Sequence, residues 1–264
     1  MIEYVFEEVG TDAGGSGLAT ITLNRPAARN ALDEQALRDL DAAYARAEAD
    51  GARAVLLRGE GRAFCAGRDI AGVDPRTDNA AGYLDGLLTP LLRRMAAFPA
   101  PTFAAAHGAC LGVGLGLLIA TDVVYVAADA KIGSPFAALG ATLDSGGHAL
   151  FVERLGTHRT LDLIYSGRLL SGAEAVAAGL FSRVIDGDEV EERTRDAAVA
   201  AAAGPAAAFV ASKRIVVALR DDRLGFWEAL ARETRAQVAL GDTDDYREGF
   251  AAFQQKRSPV FRGR

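Results

Sequence analysis

Short alternating apolar runs and longer segments of helical period follow one another along most of the chain. Alternation at residues 4–6 and 18–23 predicts the two strands of a hairpin, with a turn rich in Gly, Ser and Asp over residues 10–17. Asp33 precedes apolar positions of helical period, so we expect it to cap a helix that Gly51 ends. Those apolar positions are Leu37, Leu40, Tyr44 and Ala47.

The following stretch predicts strands separated by a loop, a polar insert and one helix. Apolar residues 54–57 indicate a buried strand, whereas residues 59–70 have too little pattern for a helix. A polar, weakly ordered insert is expected over residues 72–81, and residues 102–106 and 123–127 predict further strands. The helix between them has one apolar stripe, made of Leu84, Leu87, Leu88, Leu91, Leu92 and Met95.

The third quarter of the chain is mixed in character. Residues 136–145 have no period and predict irregular structure, and helices are expected to begin at Gly146 and at Thr157. Ser171 and Glu174 have the spacing of a capping box, which predicts that a short helix begins there.

The end of the chain predicts helices alone. Residues 181–185 form the last predicted strand, and breaks at residues 204–205 and 241–242 divide the helical pattern that follows. We therefore expect an α/β core over residues 1–200 and a C-terminal helical region over residues 201–264.

Composition narrows the classes of function. The chain has 264 residues, is 50% hydrophobic and carries a net charge of −6, which argues against nucleic acid as a partner because that needs a clustered basic face. No stretch reaches the roughly 18 apolar residues of a membrane span, and the N-terminus lacks the form of a signal peptide. Cys65 and Cys110 suggest neither a metal site nor a disulfide framework, so packing roles and a cytoplasmic location are expected.

Residues 107–122 are the most informative stretch. Closely spaced glycines lead from a predicted strand into an apolar segment of helix length. Such a turn lets a ligand approach the backbone, and the unpaired N–H groups of the helix start suit a developing negative charge on a carbonyl oxygen. The same pattern also fits a glycine-containing buried helix packed against its neighbours.

Several motifs, taken together and in order, resemble those of the crotonase, or enoyl-CoA hydratase/isomerase, superfamily. They cover essentially the whole chain, at residues 23–26, 30–32, 64–70, 107–122, 140–147 and 171–180. The resemblance implies an α/β fold, a crotonase-type spiral of β-β-α units with a helical C-terminal trimerisation region. It also implies an acyl-CoA substrate and a homotrimer or a dimer of trimers.

The resemblance assigns two main-chain donors and a coenzyme A (CoA) loop. The backbone N–H groups of Ala66 and Val113 are expected to form an oxyanion hole for a thioester carbonyl. The loop of Arg68, Asp69 and Ile70 is expected to line the adenine end of CoA.

Two basic residues resemble phosphate contacts of the family. Arg25 is expected at the CoA phosphates, and Lys256 at those of a neighbouring subunit, although a solvated tail is an alternative for Lys256. Asp69 and Asp122 are carboxylic acids within the matched motifs and are candidate catalytic acids. The preferred interpretation for both is that they anchor the local backbone.

The two glutamates with which hydratases of this family activate water are missing. Gly116 stands at one of these positions and Phe136 at the other. Water addition by that mechanism would therefore lack both acid and base.

Asp144 stands where isomerase branches of the family carry an acid, and its segment resembles the phenylacetate-pathway ring-epoxide (1,2-epoxyphenylacetyl-CoA) isomerase branch. We expect Asp144 to act as the base of an acyl-CoA isomerase in a pocket with Phe136 and Leu143, whose apolar surroundings would raise its pKa. As an alternative, Asp144 caps the helix that begins at Gly146.

Two other functions remain open. Asp144 could be a nucleophile, as in the aryl-CoA dehalogenases of the superfamily, or the protein could bind acyl-CoA without turnover. His107, His148 and His158 form no ligand cluster, so no metal is expected, and no cofactor is expected beyond the CoA of the substrate.

Overall fold

The computed structural model describes residues 1–9 and 16–264. Strands β1 (Ile2–Val9) and β2 (Ser16–Leu23) pair antiparallel, with Ile2 opposite Leu23, so the predicted hairpin is confirmed. Residues 10–15 of the predicted turn lie outside the described residues.

Two sheets organise the core. The further strands are β3 (Ala54–Gly59), β4 (Thr102–Ala106), β5 (Ala109–Leu111), β6 (Val123–Ala127), β7 (Lys131–Gly133), β8 (Leu170–Ser171) and β9 (Arg183–Ile185). One sheet has the order β1-β2-β3-β4-β6-β9 and is parallel from β2 onward, while β5, β7 and β8 form a second sheet. The short strands β5, β7 and β8 were not predicted, because two or three residues are too few to show alternation.

Helices cover the large sheet and form the C-terminal region. They are α1 (Glu34–Ala49), α2 (Ala80–Tyr83), α3 (Thr89–Ala97), α4 (Val113–Ile119), α5 (Gly147–Leu155), α6 (Thr157–Ser166), α7 (Gly172–Ala177), α8 (Val190–Ala202), α9 (Ala206–Asp221), α10 (Phe226–Leu240) and α11 (Asp244–Gln254). The Asp33 carboxylate accepts from the Ala36 N–H (2.8 Å), and the capping box of Ser171 and Glu174 is present, so both predicted helix starts are confirmed.

A π-helical turn joins α2 to α3. It covers Leu84–Leu88 and ends two residues before Pro90, which has no N–H to donate and whose ring crowds the carbonyl of the preceding turn. The predicted single helix is therefore widened at this point, while Leu88, Leu91 and Met95 of its stripe are buried as expected.

The expected boundary at residue 200, between the α/β core and the C-terminal helical region, falls inside α8. Ala198 and Ala202 of this helix pack in one buried cluster with Leu56 and Phe103 of the large sheet, so α8 belongs with the core by packing. Helices α9 and α10, by contrast, expose large apolar side chains, among them Phe226, Trp227 and Val238.

Within residues 1–9 and 16–264, no single helix has the length and apolarity of a membrane span. The bent pair Gly187–Ala202 and Ala206–Asp221 reaches them only when both helices are counted together.

Candidate active site

The centre of the site is the start of α4. Gly112 adopts φ +52° and ψ −115°, a conformation that side-chain-bearing residues rarely adopt, and a Cβ there would lie 2.9 Å from the Phe136 ring. The Gly112 N–H donates to the Gly133 carbonyl (3.0 Å). The next N–H, that of Val113, has no acceptor among the described residues, as expected for the first turn of a helix.

The loop of residues 59–70 runs beside this turn. Cys65 bridges to β5, since its N–H donates to the Ala109 carbonyl (2.9 Å) and its carbonyl accepts from Leu111 (3.0 Å). Gly67 follows with φ +102°, and a Cβ on it would stand 3.8 Å from the Val113 nitrogen. The predicted juxtaposition of this loop with the start of the central helix is therefore present.

The N–H of Ala66, expected in the oxyanion hole, points elsewhere. It donates to the Arg29 carbonyl oxygen at 2.9 Å and is thus already committed. The expectation for Ala66 is corrected on this ground, because a donor engaged by a backbone acceptor cannot also hold an oxyanion without breaking that bond.

Two residues further on, the N–H of Arg68 is free of such a bond. Leu32 brackets the residue: its N–H donates to the Gly67 carbonyl and its carbonyl accepts from the Asp69 N–H, both at 2.9 Å. Within the described part of the chain, no backbone acceptor faces the Arg68 N–H, and the neighbouring Gly67 lies close to the Val113 nitrogen. In the described part of the chain, the N–H groups of Arg68 and Val113 are thus both without a backbone acceptor, and Gly67 lies between their segments.

The side chains of Arg68 and Asp69 in this loop are paired with protein groups. The Arg68 guanidinium forms two hydrogen bonds to Asp78, at 2.8 and 2.6 Å. Asp69 accepts from the Ala71 N–H and from Arg25 (2.6 Å), and these bonds, the backbone one first, hold its pKa below the usual range. The anchoring interpretation of Asp69 is confirmed.

The remaining residues of the predicted CoA contacts differ in exposure. Ile70 is half exposed, and Arg25 retains a partly exposed side chain beside Asp69. Lys256 lies beyond the end of α11, is exposed, and no hydrogen bond or ion pair joins it to the other proposed site residues in the described structure.

Asp122 is a structural anchor, as expected. Its carboxylate accepts from the Thr102 N–H (2.9 Å) and pairs with Lys213 (2.8 Å), which ties the ends of α4 and β4 to α9. It therefore has no role in the chemistry considered below.

The segment of Asp144 packs directly on α4. A Cβ added to Gly116 would lie 2.5 Å from the Ser145 Cβ and 3.0 Å from the Ser145 carbonyl oxygen. Asp144 itself is half-buried, and its Oδ1 accepts from the Ser145 hydroxyl at 2.7 Å. Gly116, the position expected to carry a glutamate in hydratases, thus faces the residue that follows Asp144.

The alternative role of Asp144 as a helix cap is not observed. Helix α5 begins at Gly147, its N-cap is Gly146, and no side chain bonds to its first N–H groups. Only the main-chain carbonyl of Asp144 accepts from Gly147 (3.0 Å), which leaves one carboxylate oxygen outside any protein hydrogen bond in the described residues.

Apolar and aromatic side chains lie along the segments that form this region. Leu143 is buried, Phe136 lies against Gly112, and Tyr83 is buried with its hydroxyl donating to the Leu32 carbonyl (2.9 Å). Burial raises the pKa of Tyr83. Tyr83 was missed by sequence reasoning; its place one residue before the apolar stripe was the only signal.

The cysteines and histidines are not part of the proposed chemistry. Cys65 and Cys110 are buried free thiols, and burial raises the pKa of Cys65 to about 12, so it is not a nucleophile. A ring nitrogen of His107 lies 2.9 Å from the Gly61 carbonyl, while His148 and His158 are exposed.

Comparison with known proteins identifies the family. Residues 13–264 match the sequence profile of the enoyl-CoA hydratase/isomerase family, so the chain belongs to that family. The crotonase fold predicted from the motifs is confirmed.

Individual relatives differ in the activity their names state. The chain is 37% identical to a Rhodobacter capsulatus protein named "Probable enoyl-CoA hydratase", with 94% of this chain and 95% of the relative covered. It is 31% identical to the 1,2-epoxyphenylacetyl-CoA isomerase of Escherichia coli, with both chains covered completely. The crystal structure of an enoyl-CoA hydratase from Bacillus anthracis superposes with a TM-score of 0.85 at 27% identity, covering 99% of each chain.

Proposed function

We propose that this protein is an acyl-CoA isomerase in which Asp144 is the only proton-transferring carboxylate. The observation that carries the proposal is the contact of Gly116 with Ser145, which supports a role for the adjacent Asp144 beside the position expected to hold a hydratase glutamate. With Phe136 at the second glutamate position, one carboxylate is left for the chemistry. One carboxylate suffices for an isomerase because the same group can remove and return a proton.

The thioester oxygen is held by the N–H groups of Arg68 and Val113. Neither has a backbone acceptor among the described residues, and Gly67 brings their chain segments together. Main-chain donors fixed in place stabilise a developing enolate by several kcal/mol in a site with little water. Arg68 takes the role that the sequence suggested for Ala66.

The reaction proceeds through an enolate. Asp144 removes the proton from the carbon next to the thioester of a 3-enoyl-CoA, and the electron pair moves onto the thioester oxygen. The protonated Asp144 then returns the proton to the far carbon of the former double bond, leaving the 2-enoyl-CoA. An epoxide-bearing ring in the same pocket is the second candidate substrate, supported by the full-length similarity to the Escherichia coli isomerase.

Arg25, the Arg68–Ile70 loop and Lys256 are proposed to hold the CoA part of the substrate, with Lys256 contributed by a neighbouring copy. The exposed apolar side chains of α10, including Phe226 and Trp227 (78% exposed), support a homotrimer or a dimer of trimers. A cytoplasmic location and the absence of a further cofactor are proposed on the same basis as from the sequence.

The test is the variant Asp144→Asn, assayed for conversion of 3-enoyl-CoA to 2-enoyl-CoA and for ring-epoxide isomerisation. We expect a loss of activity of about a thousandfold or more, because the base is removed while its shape is kept. Asp162→Asn, an exposed carboxylate on α6, is the matched control and should keep full activity. Full activity in Asp144→Asn would reject the proposal, and tight acyl-CoA binding without turnover by the wild type would favour a non-catalytic binding protein.

A further inference from the structure

The side chain of Arg68 is clamped on two sides. Its guanidinium binds both oxygens of Asp78, and it lies 4.3 Å from the centre of the Tyr83 ring. The side chains of Arg68 and Asp78 are only 23% and 20% exposed. A bidentate pair of this kind has a defined geometry, and the stacking on Tyr83 adds a second constraint.

Hydrogen bonds connect Tyr83 with the backbone that carries the proposed oxyanion donor. Tyr83 donates its hydroxyl hydrogen bond to the Leu32 carbonyl, and that carbonyl also accepts from the Asp69 N–H. Leu32 in turn donates to the Gly67 carbonyl. The Arg68 peptide is therefore held from its backbone by Leu32 and from its side chain by Asp78 and Tyr83.

Asp78 lies in the polar insert of residues 72–81, which is not part of the proposed apolar acyl pocket. Another ion pair of the same insert, between Asp74 and Arg76, joins two residues of the insert to each other, and its Arg76 side chain is 87% exposed. Of these two pairs, only that of Asp78 connects the insert with the loop of the site.

We propose that Asp78 is a positioning residue for catalysis. Its ion pair with the Arg68 side chain fixes the direction of the Arg68 N–H. The oxyanion hole therefore has the correct geometry only when the insert is bound to the loop through this ion pair. The inference rests on the proposed function of Arg68 as an oxyanion donor. A donor displaced by a fraction of an ångström stabilises the enolate less, although the substrate still binds through its CoA part.

The experiment compares Asp78→Asn with the control Asp74→Asn in the full-length protein. The first readout is the infrared C=O stretch of bound hexanoyl-CoA labelled with ¹³C at the carbonyl, a saturated thioester that cannot isomerise. We expect the wild type and Asp74→Asn to lower this frequency relative to free ligand, and Asp78→Asn to lower it less. The second readout is turnover of 3-enoyl-CoA, where Asp78→Asn should reduce kcat about tenfold and change KM by less than about twofold.

Two further variants separate positioning from general destabilisation. Arg68→Met keeps the backbone N–H and covers Tyr83 but cannot bind Asp78, so it should reproduce the Asp78→Asn effect on kcat and on the C=O stretch. In these two readouts the double variant should be no worse than either single one. Asp78→Glu should restore part of the shift.

An unchanged C=O stretch and kcat in both Asp78→Asn and Arg68→Met would overturn the inference while leaving the proposed function intact. Independent, additive effects of the two variants would also contradict it. A wild-type complex with no shift of the C=O stretch would overturn the oxyanion assignment of Arg68 and the inference with it.

Discussion

Gly116 of α4 lies in direct contact with Ser145, so close that a Cβ on the glycine would stand 2.5 Å from the serine Cβ. The loop that brings Asp144 to the site therefore occupies the room that a side chain at position 116 would need. The absence of a side chain at position 116 and the path of the Asp144 segment therefore depend on the same contact.

This contact predicts the outcome of restoring the glutamate. Gly116→Ala should destabilise the protein by about 1–3 kcal/mol through overpacking, although Gly→Ala in a helix ordinarily stabilises. Gly116→Glu should be destabilised further and gain no hydratase activity. Urea unfolding measures the first effect and 2-enoyl-CoA hydration the second. Gly86→Ala, where a Cβ would meet nothing within 4 Å, is the control and should not be destabilised.

A side chain at position 67 should lower catalytic activity. A Cβ there would lie 3.0 Å from the Leu111 carbonyl oxygen and would press the segments of Arg68 and Val113 apart. We expect Gly67→Ala to lower kcat by about tenfold or more. Gly72→Ala has a similar positive φ but open space around the Cβ, so it shares the backbone strain without the contact and should keep its kcat. Equal kcat losses in the two variants would contradict this assignment.

The two cysteine thiols should be unreactive in the folded protein. Burial raises the pKa of both thiols, that of Cys65 to about 12, so hardly any thiolate is present at neutral pH. We expect no reaction of Cys65 or Cys110 with a disulfide reagent at pH 8 in the folded protein, and reaction of both in denaturant. Rapid stoichiometric labelling of the native protein would show that the loop beside β5 opens.

Glu248 should make the attachment of the C-terminal tail sensitive to acid. Hydrogen bonds from Arg257 and from the Val260 N–H lower its pKa from 4.5 to about 2. A lowered carboxyl pKa contributes stability above pH 4.5, and this contribution disappears as the pH falls towards 2. The exchange protection of the Val260 amide, corrected for intrinsic rates, should therefore fall over that range. Glu248→Gln should reduce it already at pH 6, whereas Glu228→Gln, paired with Arg232 instead, should not.

Sequence reasoning succeeded where the signal is local. The hairpin of β1 and β2, the cap by Asp33 and the capping box at Ser171 depend on neighbouring residues, and each is present. The π-helical turn before Pro90 was missed although its cause is visible in the sequence.

The candidate site was predictable as a set of segments but not down to the atom. Gly67, with φ +102°, interrupts the regular alternation of N–H directions between Ala66 and Arg68, so the free donor is decided by where Arg29 and Leu32 lie, more than 30 residues earlier. In the same way, Asp144 followed by Ser-Gly-Gly is good capping sequence, and only the positive φ of Ser145 and the start of α5 at Gly147 show that the carboxylate is not a cap.

The most direct test of the account is a crystal structure with bound hexanoyl-CoA. We expect the thioester oxygen within about 3 Å of the nitrogens of Arg68 and Val113, and a carboxylate oxygen of Asp144 about 3–3.5 Å from the carbon next to the thioester. A thioester oxygen bound at Ala66, or an Asp144 carboxylate turned to solvent away from the acyl group, would contradict it.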